Sequence, residues 1–419
     1  MSSRLIIKKV ELPGIPVELL GTLQQAAQVL GMQRLALVGG AVRDALLHHV
    51  HQDPWRGLPD LDLVVEGSSE ALATHLRNRL GEDRIPELRV HGSFGTVEMV
   101  LDGVLLDLAQ SRQEHYPAPG QNPLVTPGPL QDDLVRRDFT VNAMALVLND
   151  ANSAPELLDL HGGQADLAAR QLNFLHENSV QDDPTRVFRG ARYAARLDFS
   201  LAPQALKQLK YTMEAWPWPW SPGDPLNAVP PALGTRLRME LELLFGREPW
   251  RLALTHLQEW GAMPLLDQQL QEDDRLNHRL HRAERLQVPL LCALVAASGT
   301  PQALAKRLQL PMQQQRRIDH WIAFQAWMAE HVLPHPWQSW SAAHWSECLE
   351  AKAWGADVVA LEVALIGPCW RPLLRWWGRW RHVASPLTAT DLLRQGMQPG
   401  PQIGKALREA RLTALRGYR

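Results

Sequence analysis

The spacing of apolar residues changes character once along this chain, and that change restricts the fold more than any other feature. Over the first 150 residues, short strand-like runs alternate with turn signals: residues 34–38 (RLALV), 61–65, 96–101 and 104–109. The last two are separated by Asp102-Gly103, a pair suited to a tight hairpin turn. Residues 41–49 read as a helix that follows the first strand through Gly39-Gly40. Beyond residue 150 the spacing is mostly helical. The chain is therefore expected to be α+β, a small mixed-sheet head followed by an elongated all-α neck, body and tail; the repeated βαβ units of a large parallel sheet are missing. The expected boundaries are a head over 1–150, a neck over 151–215, and a body and tail over 216–419, with the Trp- and Pro-rich stretch 216–231 marking the second break. Residues 117–129 (PAPGQNPLVTPGP) are too rich in proline and glycine for regular structure, and a mobile surface loop beside the head is expected there.

Composition adds exclusions. At 419 residues and 45% hydrophobic content the chain can bury several cores. It has no run of about 18 apolar residues, and residues 1–14 lack the apolar stretch of a secretory signal, so a cytoplasmic protein with no membrane association is expected. Cys292, Cys348 and Cys369 are too few and too scattered for a zinc site or a disulfide framework. The net charge of -2 is uninformative as a whole, but residues 371–419 carry ten Arg or Lys against two acids. Such a tail can follow phosphates or form a solvated helix face. Fifteen of the sixteen tryptophans lie at or beyond Trp216, where they can stack bases or, for most, fill helix contacts.

The chemistry concentrates in the head. Asp60-Leu61-Asp62 opens an apolar run, and the period of two on a strand puts both carboxylates on one face, where they can converge on a cation. Asp107 sits among apolar neighbours in another strand, where its charge needs a partner. Gly39 and Gly40 lie between a strand and a helix, so that backbone amides can approach phosphate oxygens, and Arg43 one turn later can fork onto the same phosphates. Each feature alone has a plainer reading, as surface acids or an ordinary turn. The spacing of Gly39-Gly40-Ala41-Val42-Arg43-Asp44 from Asp60-x-Asp62 is more specific. The head resembles the polymerase-β-like nucleotidyltransferases, specifically the bacterial tRNA nucleotidyltransferase and poly(A) polymerase family of the class II CCA-adding type.

Further segments extend the resemblance. Residues 136–143 (RRDFTVNA) are similar to a family motif whose arginine, aspartate and asparagine hold ribose and triphosphate, which implies those roles for Arg137, Asp138 and Asn142. Asp159-Leu160-His161-Gly162-Gly163 resembles a motif regarded as a hinge between head and neck. Residues 182–196 (DDPTRVFRGARYAAR) resemble the family's E-D-P-x-R-x-x-R-x-x-R segment, with Asp182 in place of the usual glutamate. The resemblance implies that Asp183 and Arg186 form a protein template for the base, and that Arg189 and Arg192 assist the triphosphate. Cytosine and adenine each offer an amino donor beside a ring-nitrogen acceptor, so one carboxylate and one guanidinium can pair with either. Residues 391–405 resemble the family's tail segment, implying a helix from Pro399-Gly400 whose Lys405, Arg408 and Arg411 face tRNA backbone. The middle, about 270–385, carries no usable motif. No His-Asp doublet occurs, so the phosphohydrolase domain of some relatives is expected to be missing.

The resemblance implies addition of C and A nucleotides to the tRNA 3′ end from CTP and ATP. Two Mg²⁺ ions would be held by Asp60 and Asp62, with Asp107 completing the catalytic acids and no obligate protein partner. Full CCA, CC-only, A-only and poly(A) addition remain alternatives, and a noncatalytic RNA-binding protein is the rival class.

Overall fold

The computed structural model describes residues 15–57, 60–91, 95–148 and 155–418; the amino-terminal stretch read for targeting signals lies outside them. The chain divides into two compact units, Met1–Asp224 with Ala228–Glu240 and Glu248–Ala262, and Pro225–Asn227 with Leu241–Arg247 and Met263–Arg419.

The first unit begins with α1 (Val17–Val29), β1 (Leu35–Val38), α2 (Gly40–His49), β2 (Leu61–Val65) and α3 (Ser69–Leu80). Strands β3 (Leu88–His91), β4 (Thr96–Leu101), β5 (Val104–Gln110), β6 (Arg112–His115) and β7 (Leu124–Pro127) follow, then α4 (Leu130–Val135), β8 (Met144–Val147) and β9 (Glu156–Asp159). Seven strands form one mixed sheet in the order β3-β4-β5-β2-β1-β8-β9. Its only parallel pair is β2 with β5, which sets Asp62 directly opposite Asp107. Every residue of β1 is buried. A one-residue slip would carry apolar side chains out of the core, each worth about 1.5–3 kcal/mol when fully buried, so the register that aligns the two aspartates is fixed by burial. The β4–β5 hairpin turns on Asp102 and Gly103, both with positive φ (50° and 81°), as a primed hairpin turn requires.

The proline- and glycine-rich segment is more ordered than its composition predicts. Residues Leu124–Pro127 pair with Arg112–His115 as a two-stranded ribbon, with Pro127 on an edge where its missing N–H is tolerated. Gly120, in the connecting loop, donates to the Asp182 carbonyl at 3.2 Å and packs near the Trp218 indole. The expected surface position holds, since β7 is exposed throughout.

The unit continues through α5 (Gly163–Ala169), α6 (Ser179–Asp182), α7 (Thr185–Leu197) and α8 (Pro203–Ala215); α10 (Trp250–Glu259) follows α9 (Thr235–Arg247), a helix split between the units. Gly162-Gly163 is pinned rather than slack: Asp159 accepts from the amides of Gly163 (2.8 Å) and Gln164 (2.9 Å), and a Cβ on Gly163 would fall 2.4 Å from the Thr140 carbonyl oxygen.

Among the described residues the second unit contains ten further helices, from Gln268–Glu272 to Pro401–Leu415. The longest, Met312–His331, buries Ile318, Trp321, Phe324, Trp327 and Met328 along one face. Over the whole chain nine of the sixteen tryptophans are buried, in keeping with a packing role for most. All three cysteines are free. Among the described residues no helix is long and apolar enough to cross a membrane.

Candidate active site

Three acids of the head, Asp60, Asp62 and Asp107, form a half-buried cluster. Asp62 lies in β2, Asp107 opposite it in β5, and Asp60 just before β2. Among the described residues none of the three is ion-paired to Arg or Lys. Burial and the charges of Asp60 and Asp107 push the Asp62 carboxyl up to about 6, against the opposing pull of Arg137 and Arg43. Burial, Asp60 and Glu98 likewise raise Asp107. This carboxylate set, destabilised by its own repulsion, fits a hard divalent cation. No group of three His, Cys, Asp or Glu side chains among the described residues forms a ready-made cage. Mg²⁺ commonly takes one or two carboxylates and completes its shell with water and substrate phosphate, so the absence of a cage is compatible with it.

Asp62 lines two cavities of the first unit. One, of about 420 Å³, is bordered by Asp107, Glu98 and His91. The other, of about 360 Å³, is lined by Gly39, Gly40, Arg137, Asp138, Asn142, Asp183, Arg186 and Arg189, together with Arg236 and Tyr193, which sequence reasoning missed. Gly39 caps α2 at φ 66°, and a Cβ there would lie 3.2 Å from Asp62 Oδ2. The backbone approaches the acid this closely because residue 39 has no side chain. Arg137 donates through Nη2 to buried Asp133 at 3.0 Å, but its buried Nε has no acceptor. A buried donor left unmet costs about 1–3 kcal/mol, which an incoming anion can relieve.

A chain of hydrogen bonds ties these residues together. Arg43 is buried; it forks onto Asp44 (2.8 and 3.1 Å) and donates to Asn142 Oδ1 at 2.7 Å. It is thus held by protein acceptors, where the sequence suggested a fork onto phosphates. Asn142 Nδ2 donates to Asp138 Oδ1 (2.9 Å), and Asp138 Oδ2 accepts from Arg189 (3.3 Å). Arg189 also donates to Glu240 of α9 (3.0 and 3.1 Å), Glu240 binds Arg192, and Arg192 reaches Glu248 (3.3 Å). Arg192 is therefore drawn to these glutamates and is not among the residues lining the cavity. Glu240 and Glu248 lie about fifty residues from the arginines, and only their placement in a helical region was readable.

At the start of α7, Asp183 accepts from the Thr185 amide (3.1 Å) and hydroxyl (2.5 Å) and pairs with Arg236. Burial pushes its carboxyl up, but Arg236, Arg189 and Arg186 outweigh that and hold it below the usual range. Arg186 donates to the Arg136 carbonyl (2.8 Å) and meets His176 Nε2 at 3.3 Å. Burial and the Arg186 charge push His176 down to about 4, so it is neutral and can accept.

The tail residues lie in the second unit. Helix Pro401–Leu415 starts at the Gly400-Pro401 step, one residue from the expected point, with Lys405 and Arg408 exposed. Arg411 departs from the expectation. Its guanidinium is bound by Glu350 (2.5 and 2.9 Å) and by the Val383 and Trp380 carbonyls (2.6 and 3.3 Å), leaving it to clamp the helix rather than meet phosphate.

The first unit thus presents a mixed sheet carrying paired aspartates beside a Gly-Gly helix start, followed by helices. Residues 35–173 match the poly A polymerase head domain. The chain is 42% identical over 242 residues to the CC-adding tRNA nucleotidyltransferase of Deinococcus radiodurans, covering 55% of each protein. It is 40% identical over 177 residues to the A-adding tRNA nucleotidyltransferase of Aquifex aeolicus, covering 42% of this chain and 20% of that one. The chain thus spans about half or less of the curated relatives it matches. Among solved structures, a CCA-adding enzyme in an apo form has a TM-score of 0.71 at 23% identity, covering 97% of this chain and 94% of that one. The Thermotoga maritima CCA-adding enzyme complexed with tRNA has a TM-score of 0.67 at 22% identity, covering 98% and 93%. At such identity these likenesses establish the fold, an α+β head with a mostly helical remainder.

Proposed function

We propose that this protein adds C and/or A nucleotides to the 3′ end of tRNA from CTP and ATP, with release of pyrophosphate. The observation that carries the proposal is the cluster of Asp60, Asp62 and Asp107, unpaired with Arg or Lys among the described residues, in which Asp62 also lines the cavity of Gly39, Gly40, Arg137, Asp183 and Arg186. The family of the head generally depends on divalent metal ions; we assign two Mg²⁺ to Asp60 and Asp62. When bound, such ions favour the 3′ alkoxide and neutralise phosphate charge. The tRNA 3′ oxygen attacks the α-phosphorus, a new P–O bond forms, the α–β anhydride bond breaks, and pyrophosphate leaves in line.

The protein's own part is positioning and charge. Asp107, on the opposite side of Asp62 from the nucleotide cavity, faces the attacking 3′ end. The amides at Gly39-Gly40 and the free Nε of Arg137 receive phosphate oxygens. Asp138 and Asn142, steadied by Arg43 and Arg189, hold the ribose, and Arg192 acts through Glu240. Asp183 accepts from the exocyclic amino group of C or A while Arg186 donates to the adjacent ring nitrogen, each such contact worth about 1–3 kcal/mol of discrimination. Lys405 and Arg408 contact tRNA backbone. A head over 1–150, a neck over 151–215 and a body over 216–419 remain our division of labour, and the substrate implies a cytoplasmic protein.

The similarity to a CC-adding enzyme favours a second reading, in which only C is added. Purified protein with Mg²⁺ should be offered tRNA lacking its tail, ending in C or ending in CC, with labelled CTP and ATP separately and together. Both nucleotides joined to a defined length indicates full CCA addition; C alone selects the second reading; A alone or long A tracts select the other restricted activities. No product on any of them refutes the enzyme.

A further inference from the structure

The second unit has a cavity of its own, of about 430 Å³, that the chemistry above does not use. Its walls are chiefly apolar, with the indoles of Trp370 and Trp377 and the side chain of Leu374, while His278, Arg282 and Arg285 supply its polar character. The Arg282 guanidinium lies 4.2 Å from the centroid of the Trp370 ring and donates to the Val363 carbonyl at 3.0 Å, so it is fixed as part of the wall. Arg285 and His278 are exposed, and among the described residues their side chains make no hydrogen bond or ion pair. Arg371, also exposed, lies 5.3 Å over Trp370. No acidic side chain lines the cavity.

Flat aromatic walls suit a planar ring, and the unpartnered side chains of Arg285 and His278 beside them suit an anion attached to that ring. An apolar protein segment seated there would fill the space but leave these polar groups uncompensated. A nucleotide satisfies both, and residues 371–419, with ten basic residues against two acids, continue the positive charge. We propose that this cavity receives one unpaired nucleobase of the RNA substrate, stacked on Trp377, with neighbouring phosphates on Arg285, His278 and Arg371. The proposal rests on the reading of the chain as a tRNA-binding enzyme and gives its motif-free middle a ligand.

Two variants test it. Trp377→Leu keeps apolar volume and removes the stacking face; Arg285→Glu reverses an exposed charge and leaves the core untouched. Loss of the stacking face in Trp377→Leu and reversal of a phosphate-facing charge in Arg285→Glu should each weaken tRNA binding by the folded variant about tenfold or more. Their KM for tRNA should rise while kcat and the KM for CTP stay at wild-type values. In the full-length wild type, tRNA carrying 4-thiouridine should crosslink on irradiation to the peptide spanning residues 370–377. Unchanged tRNA affinity in both variants, together with no crosslink to that peptide, overturns the proposal. Failure of the wild type to add nucleotides would refute the enzymatic reading alone, since affinity and crosslinking report on the cavity without turnover.

Discussion

At the scale of single residues, the site is built from groups that cost the fold stability. Asp62 is held in a half-buried position beside two other acids, and its carboxyl is pushed up to about 6 by burial and then by Asp60. Asp62→Asn should lower nucleotide incorporation by at least about a thousandfold, as loss of a principal electrostatic group does. In metal-free buffer it should raise the denaturant midpoint, because a repelled charge is removed. Single-turnover incorporation and urea unfolding of the same preparation check both halves. Gly39→Ala is expected to destabilise the head by about 1–3 kcal/mol, since a side chain there meets positive φ and would crowd Asp62 at 3.2 Å; thermal and urea unfolding measure it. These residues were legible in the sequence because their reasons are local: a strand period for Asp60 and Asp62, a strand-to-helix turn for Gly39 and Gly40. The partners of Arg43, Arg192 and Arg411 were not. A guanidinium reaches either phosphate or a carboxylate, and sequence spacing does not say which acid the fold brings near, as Glu350 is brought to Arg411 across 61 positions.

At the scale of elements, α7 is held by acids from later helices. Glu240 of α9 binds both Arg189 and Arg192, so Glu240→Ala leaves two largely buried cations without their main acceptor. A cost of about 3–5 kcal/mol is expected, with weaker discrimination among nucleotides, read from unfolding and from relative kcat/KM for CTP, ATP, GTP and UTP. The segment leading to Asp60 is tied to the end of α5 by Asp53, whose carboxyl is held down to about 2, chiefly by its hydrogen bond from Arg170 with help from Arg56. A depressed carboxyl stabilises the fold above its unfolded value near 3.8 and loses that contribution as pH falls through about 2. Arg170→Ala should therefore cost about 1 kcal/mol at neutral pH and show a shallower loss of stability between pH 4 and pH 2, measured by urea midpoints across that range. The β6–β7 ribbon is the element whose order was least readable, because prolines and glycines signal turns but not the edge pairing between them. Replacing residues 112–130 by a short linker is expected to block addition of A and spare addition of C; unchanged A addition would sink that role.

At the scale of the whole molecule, the division into a sheet-bearing head and a helical remainder followed from one change in apolar spacing. The sheet was legible in outline: β1, β2, β4 and β5 were readable, while β3, β8 and β9 were not. The second unit was legible only as helices, because its tryptophans announce burial without saying what they bury against. In the proposed reaction the acid cluster of the head transfers nucleotides to RNA. That transfer is tested most directly by incubating the protein with tail-less tRNA and labelled CTP, in Mg²⁺ and in excess chelator, beside Asp62→Asn. Label is expected at the tRNA 3′ end in Mg²⁺ alone and in the wild type alone. A folded wild type that joins none, or an Asp62→Asn protein that joins as much, contradicts it.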